Sequence, residues 1–200
     1  IGVRLVGSEM CIRDRARGQG EPASGKLNLP TGATLTGLIM GEDEKEVFVG
    51  TSAGYGFRTT ITDLHTKNKA GKSVVKISPY AQVVQPKLIY DENSLIVAVS
   101  NEGRMLVFDI SNVPKLAKGK GNKIINIPSA RLKRGEEWVV DYAIVGQGTS
   151  LLVYSGKRYL SLKYGDLEHY IGERGRRGHK LPRGFQLSLI HISEPTRRTP

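Results

Sequence analysis

Apolar and polar positions alternate along this chain in short blocks, and the blocks recur. Leu35–Met40, Glu46–Val49 and Tyr55–Thr60 are apolar-rich runs closed by Thr62–His65, which has the composition of a capped turn. Lys87–Tyr90, Leu95–Val99 and Arg104–Phe108 repeat the order and are closed by Asp109–Asn112. Trp138–Ile144, Leu151–Tyr154 and Lys157–Tyr164 repeat it again, closed by Asp166–Glu168. Turn-formers separate the runs at Gly41–Glu44, Thr51–Gly54, Asp91–Ser94, Ser100–Gly103, Gly146–Gly148 and Ser155–Gly156. Runs of this length between turn residues predict strands, and no helical period persists for three turns. Ile96–Val99 is apolar at every position, which suits a strand covered on both faces.

The register of the blocks makes them a repeat. Strand-ending prolines stand at 30, 79 and 128, spaced by 49 residues, and turn glycines at 54, 103 and 156, spaced by 49 and 53. Four short strands in each unit of about fifty residues predict an all-β, propeller-like fold, because each four-stranded blade must bury its faces on its neighbours. The chain holds about three such blades plus a partial one, so an incomplete ring is expected.

Each unit also carries a basic glycine loop ahead of its closing strand. Arg17–Glu21 precedes Gly25–Pro30, and Asn68–Lys72 precedes Val74–Pro79. Lys115–Asn122 runs into a β-branched stretch, Lys123–Ile127, that stops at Pro128; Glu173–Lys180 precedes Leu181 and Pro182. Glycine lets backbone come close to another molecule, and the interleaved cations set positive charge along that path. One such loop is a weak signal. Four in register point to a polyanionic partner.

Composition agrees with this. The chain has 200 residues, a net charge of +11 and 24 glycines, suited to one turn-rich domain with a basic surface. No apolar run approaches a membrane span and no signal peptide is evident. The two ends depart from the pattern: Ile1–Arg15 and Leu187–Pro200 show no repeat and resemble translated sequencing-adaptor read-through. The domain is therefore expected at 16–186, with loosely docked ends around an ordered centre from Leu35 to Tyr164. Residues 16–186 keep 25 basic and 16 acidic residues, so the positive balance survives. The one cysteine, Cys11, lies outside them, which excludes disulfides and thiolate metal sites within.

Three local patterns imitate chemistry. Gly50–Gly54 matches the nucleophile elbow around Ser52, but a strand is predicted after it where that motif needs a helix. Ala70–Ser73 resembles the end of a phosphate-binding loop, yet its first glycine would fall on Thr66 and no helix follows. The four histidines, at 65, 169, 179 and 191, lack ligand spacing. No metal site is expected.

Leu116–Ala130, together with Gly54–Phe57, Gly103–Leu106, Gly156–Arg158 and Gly172–Gly178, resembles the C-terminal domains of the A subunits of bacterial topoisomerase IV and gyrase. The resemblance covers roughly residues 16–186. It implies a β-pinwheel, in which neighbouring blades exchange strands, and a basic rim that binds and bends duplex DNA. It also implies a parent ATP-dependent type II topoisomerase, ParC in type, that decatenates chromosomes in the bacterial cytoplasm at the nucleoid. That parent uses Mg2+ and ATP, the ATP on the B subunit of an A2B2 complex whose A subunits dimerise through an N-terminal part. The fragment itself would then carry no catalytic residue and no cofactor. The family's nucleophilic tyrosine follows an arginine in a winged-helix domain; Arg158-Tyr159 imitates the pair but lies in a predicted strand, where Tyr159 is expected to pack. The glutamine-arginine-arginine-glycine-glycine box of gyrase is absent, and Glu173–Gly178 is the nearest approach, which argues against strong wrapping.

Lys118, Lys120, Lys123, Arg174, Arg176, Arg177 and Lys180 are the leading candidates for phosphate contact. Lys69, Lys72, Arg104, Lys157 and Arg158 support them, and Arg17, Arg58 and Lys115 complete the set. A propeller scaffold for protein partners is the other reading, and it predicts binding that is insensitive to salt.

Overall fold

The computed structural model describes residues 31–68, 71–185 and 192–193, and within them each predicted hairpin forms. Strand β1 (Glu46–Gly50) turns through Thr51–Gly54 into β2 (Tyr55–Thr60), which ends at the single-turn helix α1 (Ile61–Leu64). Thr60 caps α1, its hydroxyl accepting from the Asp63 N–H at 3.2 Å. After β3 (Lys87–Ile89), the second hairpin pairs β4 (Leu95–Ser100) with β5 (Arg104–Asp109) and ends in a 3-10 turn, Ile110–Asn112. Asp109 caps that turn by accepting from the Ser111 N–H at 2.7 Å. Then follow β6 (Asn122–Lys123), helix α2 (Ser129–Lys133) and β7 (Val139–Val145). The third hairpin joins β8 (Ser150–Ser155) to β9 (Arg158–Lys163), followed by a 3-10 segment, Tyr164–Tyr170, then β10 (His179–Lys180) and β11 (Ile192–Ser193). The turn glycines Gly54, Gly103 and Gly156 have φ of +82°, +67° and +59°, the left-handed conformation that their position demands.

The sheets are not made of consecutive strands. The first has the order β3-β1-β2-β6 and the second β10-β5-β4-β7. Each is a hairpin flanked by two strands from the following unit: that unit's opening strand on one side, and the strand after its basic loop on the other. Blades thus exchange strands, as in a β-pinwheel. The third sheet, β11-β8-β9, is three-stranded among the described residues. Although 187–200 is set apart from the repeat in the sequence, Ile192 pairs with Val153 and Ser193 with Leu152, the place on β8 that β3 and β7 hold on β1 and β4.

Side-chain alternation fills the gaps between blades. Ile96 and Ala98 of β4 face the first sheet, packing with Phe48, Ile124, Ile125 and Tyr142. Val97 and Val99 face the third, packing with Leu151, Val153 and Leu162. The middle blade is covered on both faces, as its apolar run requires. Tyr142 also ties the first two blades by polarity: its ring lies edge-on to Phe48 at 4.9 Å and its hydroxyl donates to the Thr51 carbonyl at 2.8 Å. Burial pushes that phenol well above its usual range, with Asp141 adding to the shift.

Four expectations change. Val74–Pro79 forms no strand and meets the lysine loop only through a bridge between Val75 and Gly119. Leu35–Met40 forms no strand: Ile39 packs under the first sheet while Leu38 and Met40 are 68% and 77% exposed. By register this run is the opening strand for a hairpin of a preceding unit, and no such hairpin lies among the described residues. Lys123–Ile127 is not a strand either. Only Asn122–Lys123 joins a ladder, and Ile124, Ile125 and Ile127 insert into the core. Tyr159 does not enter the core; Leu160 and Leu162 turn inward on β9, so alternation leaves Tyr159 outside and 67% exposed, its ring 6.2 Å from that of Tyr154 across the hairpin.

Tyr80 has φ +64° at the third position of the turn Ser78–Ala81, after Pro79, where a type II turn favours glycine. Tyr80→Gly should therefore raise stability by about 1 kcal/mol in urea unfolding. No gain would mean that the ring's packing offsets the strain.

Candidate nucleic-acid interface

Backbone pairing joins three of the basic loops edge to edge. The Lys76 N–H donates to the Gly119 carbonyl at 2.9 Å and the Gly119 N–H to the Val74 carbonyl at 2.8 Å, an isolated bridge that binds Val74–Lys76 to the lysine loop. On the other side, the Gly175 N–H donates to Ile124 O at 2.8 Å and the Asn126 N–H to Arg176 O at 2.9 Å, which binds the lysine loop to the arginine loop. Lys72, Lys76, Lys118, Lys120, Lys123, Arg174 and Arg176 therefore follow one another along a single band.

The candidates differ in whether their charge is free. Lys118, Lys120, Arg174 and Lys180 are exposed and have no ion pair among the described residues. Lys120 lies over the ring of Tyr55, its Nζ 4.0 Å from the centroid. Lys123 is half-buried, 5.8 Å from the same centroid, and donates to Asn126 Oδ1 at 3.1 Å. Lys72 donates to the backbone carbonyl of Asp63 at 2.6 Å, a neutral partner. Arg176 pairs with Glu173 at 2.9 Å, but both are largely exposed, so solvent weakens the pair and a phosphate can displace it. Lys157 and Arg158 project from the turn of the third hairpin and are exposed. Arg104 donates to the Gly178 carbonyl at 3.3 Å across the exchanged strand. Arg17 and Lys69 lie outside the described residues.

Three candidates are already engaged by carboxylates. Arg58 donates to the Val113 carbonyl at 2.9 Å and pairs with Glu46 at 3.1 Å, clamping the start of the second unit's loop to the first hairpin. Lys115 reaches the other oxygen of Glu46 at 2.9 Å. Arg177 binds Glu137 at 2.6 Å, and this carboxylate is fully buried. Arg131 of α2 reaches the same oxygen at 2.9 Å and also meets Glu102 at 3.1 Å. These side chains hold blades together, and each already has a carboxylate partner, with Arg58 and Lys115 sharing that of Glu46.

The model described as "DNA gyrase C-terminal domain, beta-propeller" matches residues 45–89 and 94–144, each stretch running from a hairpin to the opening strand of the next unit. The structure titled "Structure of the E. coli ParC C-terminal domain" superposes with a TM-score of 0.78 at 41% identity, covering 90% of this chain and 73% of that one. The chain belongs to the gyrase A C-terminal domain family. A gyrase A C-terminal domain structure, at 17% identity and a TM-score of 0.67, shares the fold. Among curated relatives, the A subunit of DNA topoisomerase 4 from Pseudomonas aeruginosa is 49% identical over 86% of this chain, and its Escherichia coli counterpart 43% over 91%. The chain spans about a quarter of the length of these relatives, 23% and 24%.

Two residues of this family member escape a reading of its sequence. Tyr55 carries no charge, and only the exchanged strand brings lysines over its ring. Glu137 sits in an acidic pair, Glu136-Glu137, that reads as surface. Glu137 is instead drawn inward because the Trp138 N–H donates to Asn101 Oδ1 at 2.9 Å and the Val139 N–H to Ser52 O at 2.8 Å. Ser52 itself is a hairpin residue: its hydroxyl accepts from the Gln82 N–H at 2.9 Å, and β2 follows where a nucleophile elbow needs a helix.

Proposed function

We propose that this chain binds and bends duplex DNA as the C-terminal domain of a topoisomerase IV A-type polypeptide. In that role it presents a DNA segment to an ATP-dependent type II enzyme that decatenates chromosomes and relaxes supercoils in the bacterial cytoplasm. The observation that carries the reading is the band of basic loops zipped together by backbone hydrogen bonds, with Lys118, Lys120 and Arg174 unpaired along it. Cations spaced along a curved blade rim suit phosphates, and no helix long enough to enter a major groove exists among the described residues, so contact without base readout is favoured. Family membership and the relatives' names support the rest of the reading. The parent polypeptide dimerises, assembles with its ATP-binding partner polypeptide (the B type), and draws on Mg2+ and on the ATP held there.

The test is a salt titration of duplex binding. Each phosphate neutralised contributes about −0.9 to the slope of log K against log salt, so Lys118→Ala, Lys120→Ala and Lys123→Ala together should flatten the slope by about 2.7. Affinity should fall similarly for unrelated sequences. Arg58→Ala, whose guanidinium is held by Glu46 and Val113, should leave the slope as it is. An unchanged slope in the triple variant would remove the band from the interface.

A further inference from the structure

We propose that Tyr55 is a positioning residue for the phosphate site, its ring holding the lysines of the exchanged strand at the rim; this rests on the DNA-binding reading above. Tyr55 follows the turn glycine of the first hairpin. The equivalent positions after Gly103 and Gly156 are Arg104 and Lys157, so the other two blades place a cation there. The exchanged strands set up the same geometry in both four-stranded blades: Lys180 stands opposite Arg104, and Lys123 opposite Tyr55. Two cations facing each other repel, whereas an aromatic face attracts an ammonium group. In the first blade the Nζ of Lys120 rests 4.0 Å from the Tyr55 centroid and that of Lys123 5.8 Å from it. Two lysines three residues apart thus converge on one ring, neither in an ion pair among the described residues, which gathers positive charge without neutralising it.

The site is shared between units. Tyr55 belongs to the first hairpin, and both lysines come from the second unit, Lys120 on its basic loop and Lys123 on β6, which follows that loop. Docking of β6 on β2 therefore assembles the platform, and a free lysine loop would sample many positions. Ordering the ammonium groups before DNA arrives removes part of the entropy lost on binding. The tyrosine hydroxyl is not used, so phenylalanine should serve as well.

The experiment measures duplex binding against salt for the chain as it stands and for Tyr55→Leu, Tyr55→Phe, Lys120→Ala and the pair Tyr55→Leu with Lys120→Ala. Tyr55→Leu should weaken binding about 3- to 10-fold and lower the salt slope by about 0.9, one phosphate contact. Tyr55→Phe should match the parent, and Tyr55→Leu should add little once Lys120 is alanine. Without DNA, the ε-methylene protons of Lys120 should be shifted upfield by the ring in the parent and in Tyr55→Phe, and not in Tyr55→Leu. Additive effects of the two substitutions, or an unshifted Lys120 in the parent, would overturn the proposal while leaving salt-dependent binding intact. A parent chain with no salt-dependent binding would end both readings.

Discussion

Replacing Arg131 and Arg177 together by alanine should destabilise the domain by about 3–5 kcal/mol in urea unfolding, because it leaves a buried carboxylate without a counter-ion. Glu137 is fully buried and one of its oxygens receives both guanidinium groups, at 2.9 and 2.6 Å. Either arginine alone can offset much of the burial cost, so each single substitution should cost less, about 1–3 kcal/mol. Glu137→Gln in the double background removes the stranded charge and should recover a large part of the loss. A double variant that unfolds within about 0.5 kcal/mol of the parent would show that the cluster contributes nothing. The same substitutions separate structure from binding. Arg177→Ala should weaken the fold without flattening the salt slope, since Arg177 faces Glu137 and not the solvent band.

What could be seen in the sequence divides along the distance between partners. The hairpins were legible because their determinants are local: a glycine able to take positive φ at 54, 103 and 156, flanked by residues of strand propensity. The length of the repeating unit followed from the spacing of Pro79 and Pro128. Strand exchange was carried by the family resemblance, not by periodicity, since nothing local states that Asn122–Lys123 will pair with Tyr55–Gly56 across more than sixty positions of chain.

The charged residues show the same limit. Lys118, Lys120 and Arg174 read correctly as exposed cations from their glycine-rich surroundings. Arg177 sits in the same loop, two residues on from Gly175, and is matched by Glu137 at a separation of 40 residues. Arg58 is matched by Glu46, one strand earlier, and by carbonyls of the next unit. A loop's composition shows that cations are present; which of them remain free is decided by acidic groups that the fold brings from elsewhere.

Gly121→Ala and Gly178→Ala should each undock an exchanged strand. The glycines of the basic loops first suggest close approach to a nucleic acid, but at these two positions the close neighbour is the preceding blade. Gly121 has φ +73°, and a Cβ there would strike the carbonyl of Gly56; Gly178 has φ +74°, and its Cβ would come within 2.6 Å of the Met105 carbonyl oxygen. Each glycine comes just before the two-residue ladder, β6 on β2 or β10 on β5, so the clash falls where pairing begins. Left-handed backbone alone costs alanine about 1–2 kcal/mol. Gly135, with φ +69° and no neighbour within 4 Å of an added Cβ, isolates that conformational cost. Gly135→Ala should therefore lose about 1–2 kcal/mol, and Gly121→Ala and Gly178→Ala clearly more, because backbone must shift to clear a carbonyl. Amide exchange would show where the loss falls. In Gly121→Ala the Ile124 and Ile125 amides, which donate to Gly54 O at 2.7 and 3.3 Å, should lose protection while Ile96–Val99 keep theirs. Equal costs at Gly121 and Gly135 would mean that the lysine strand approaches β2 less closely than this. If the strand does undock, Lys120 and Lys123 leave Tyr55, and duplex affinity should fall in step with the lost protection.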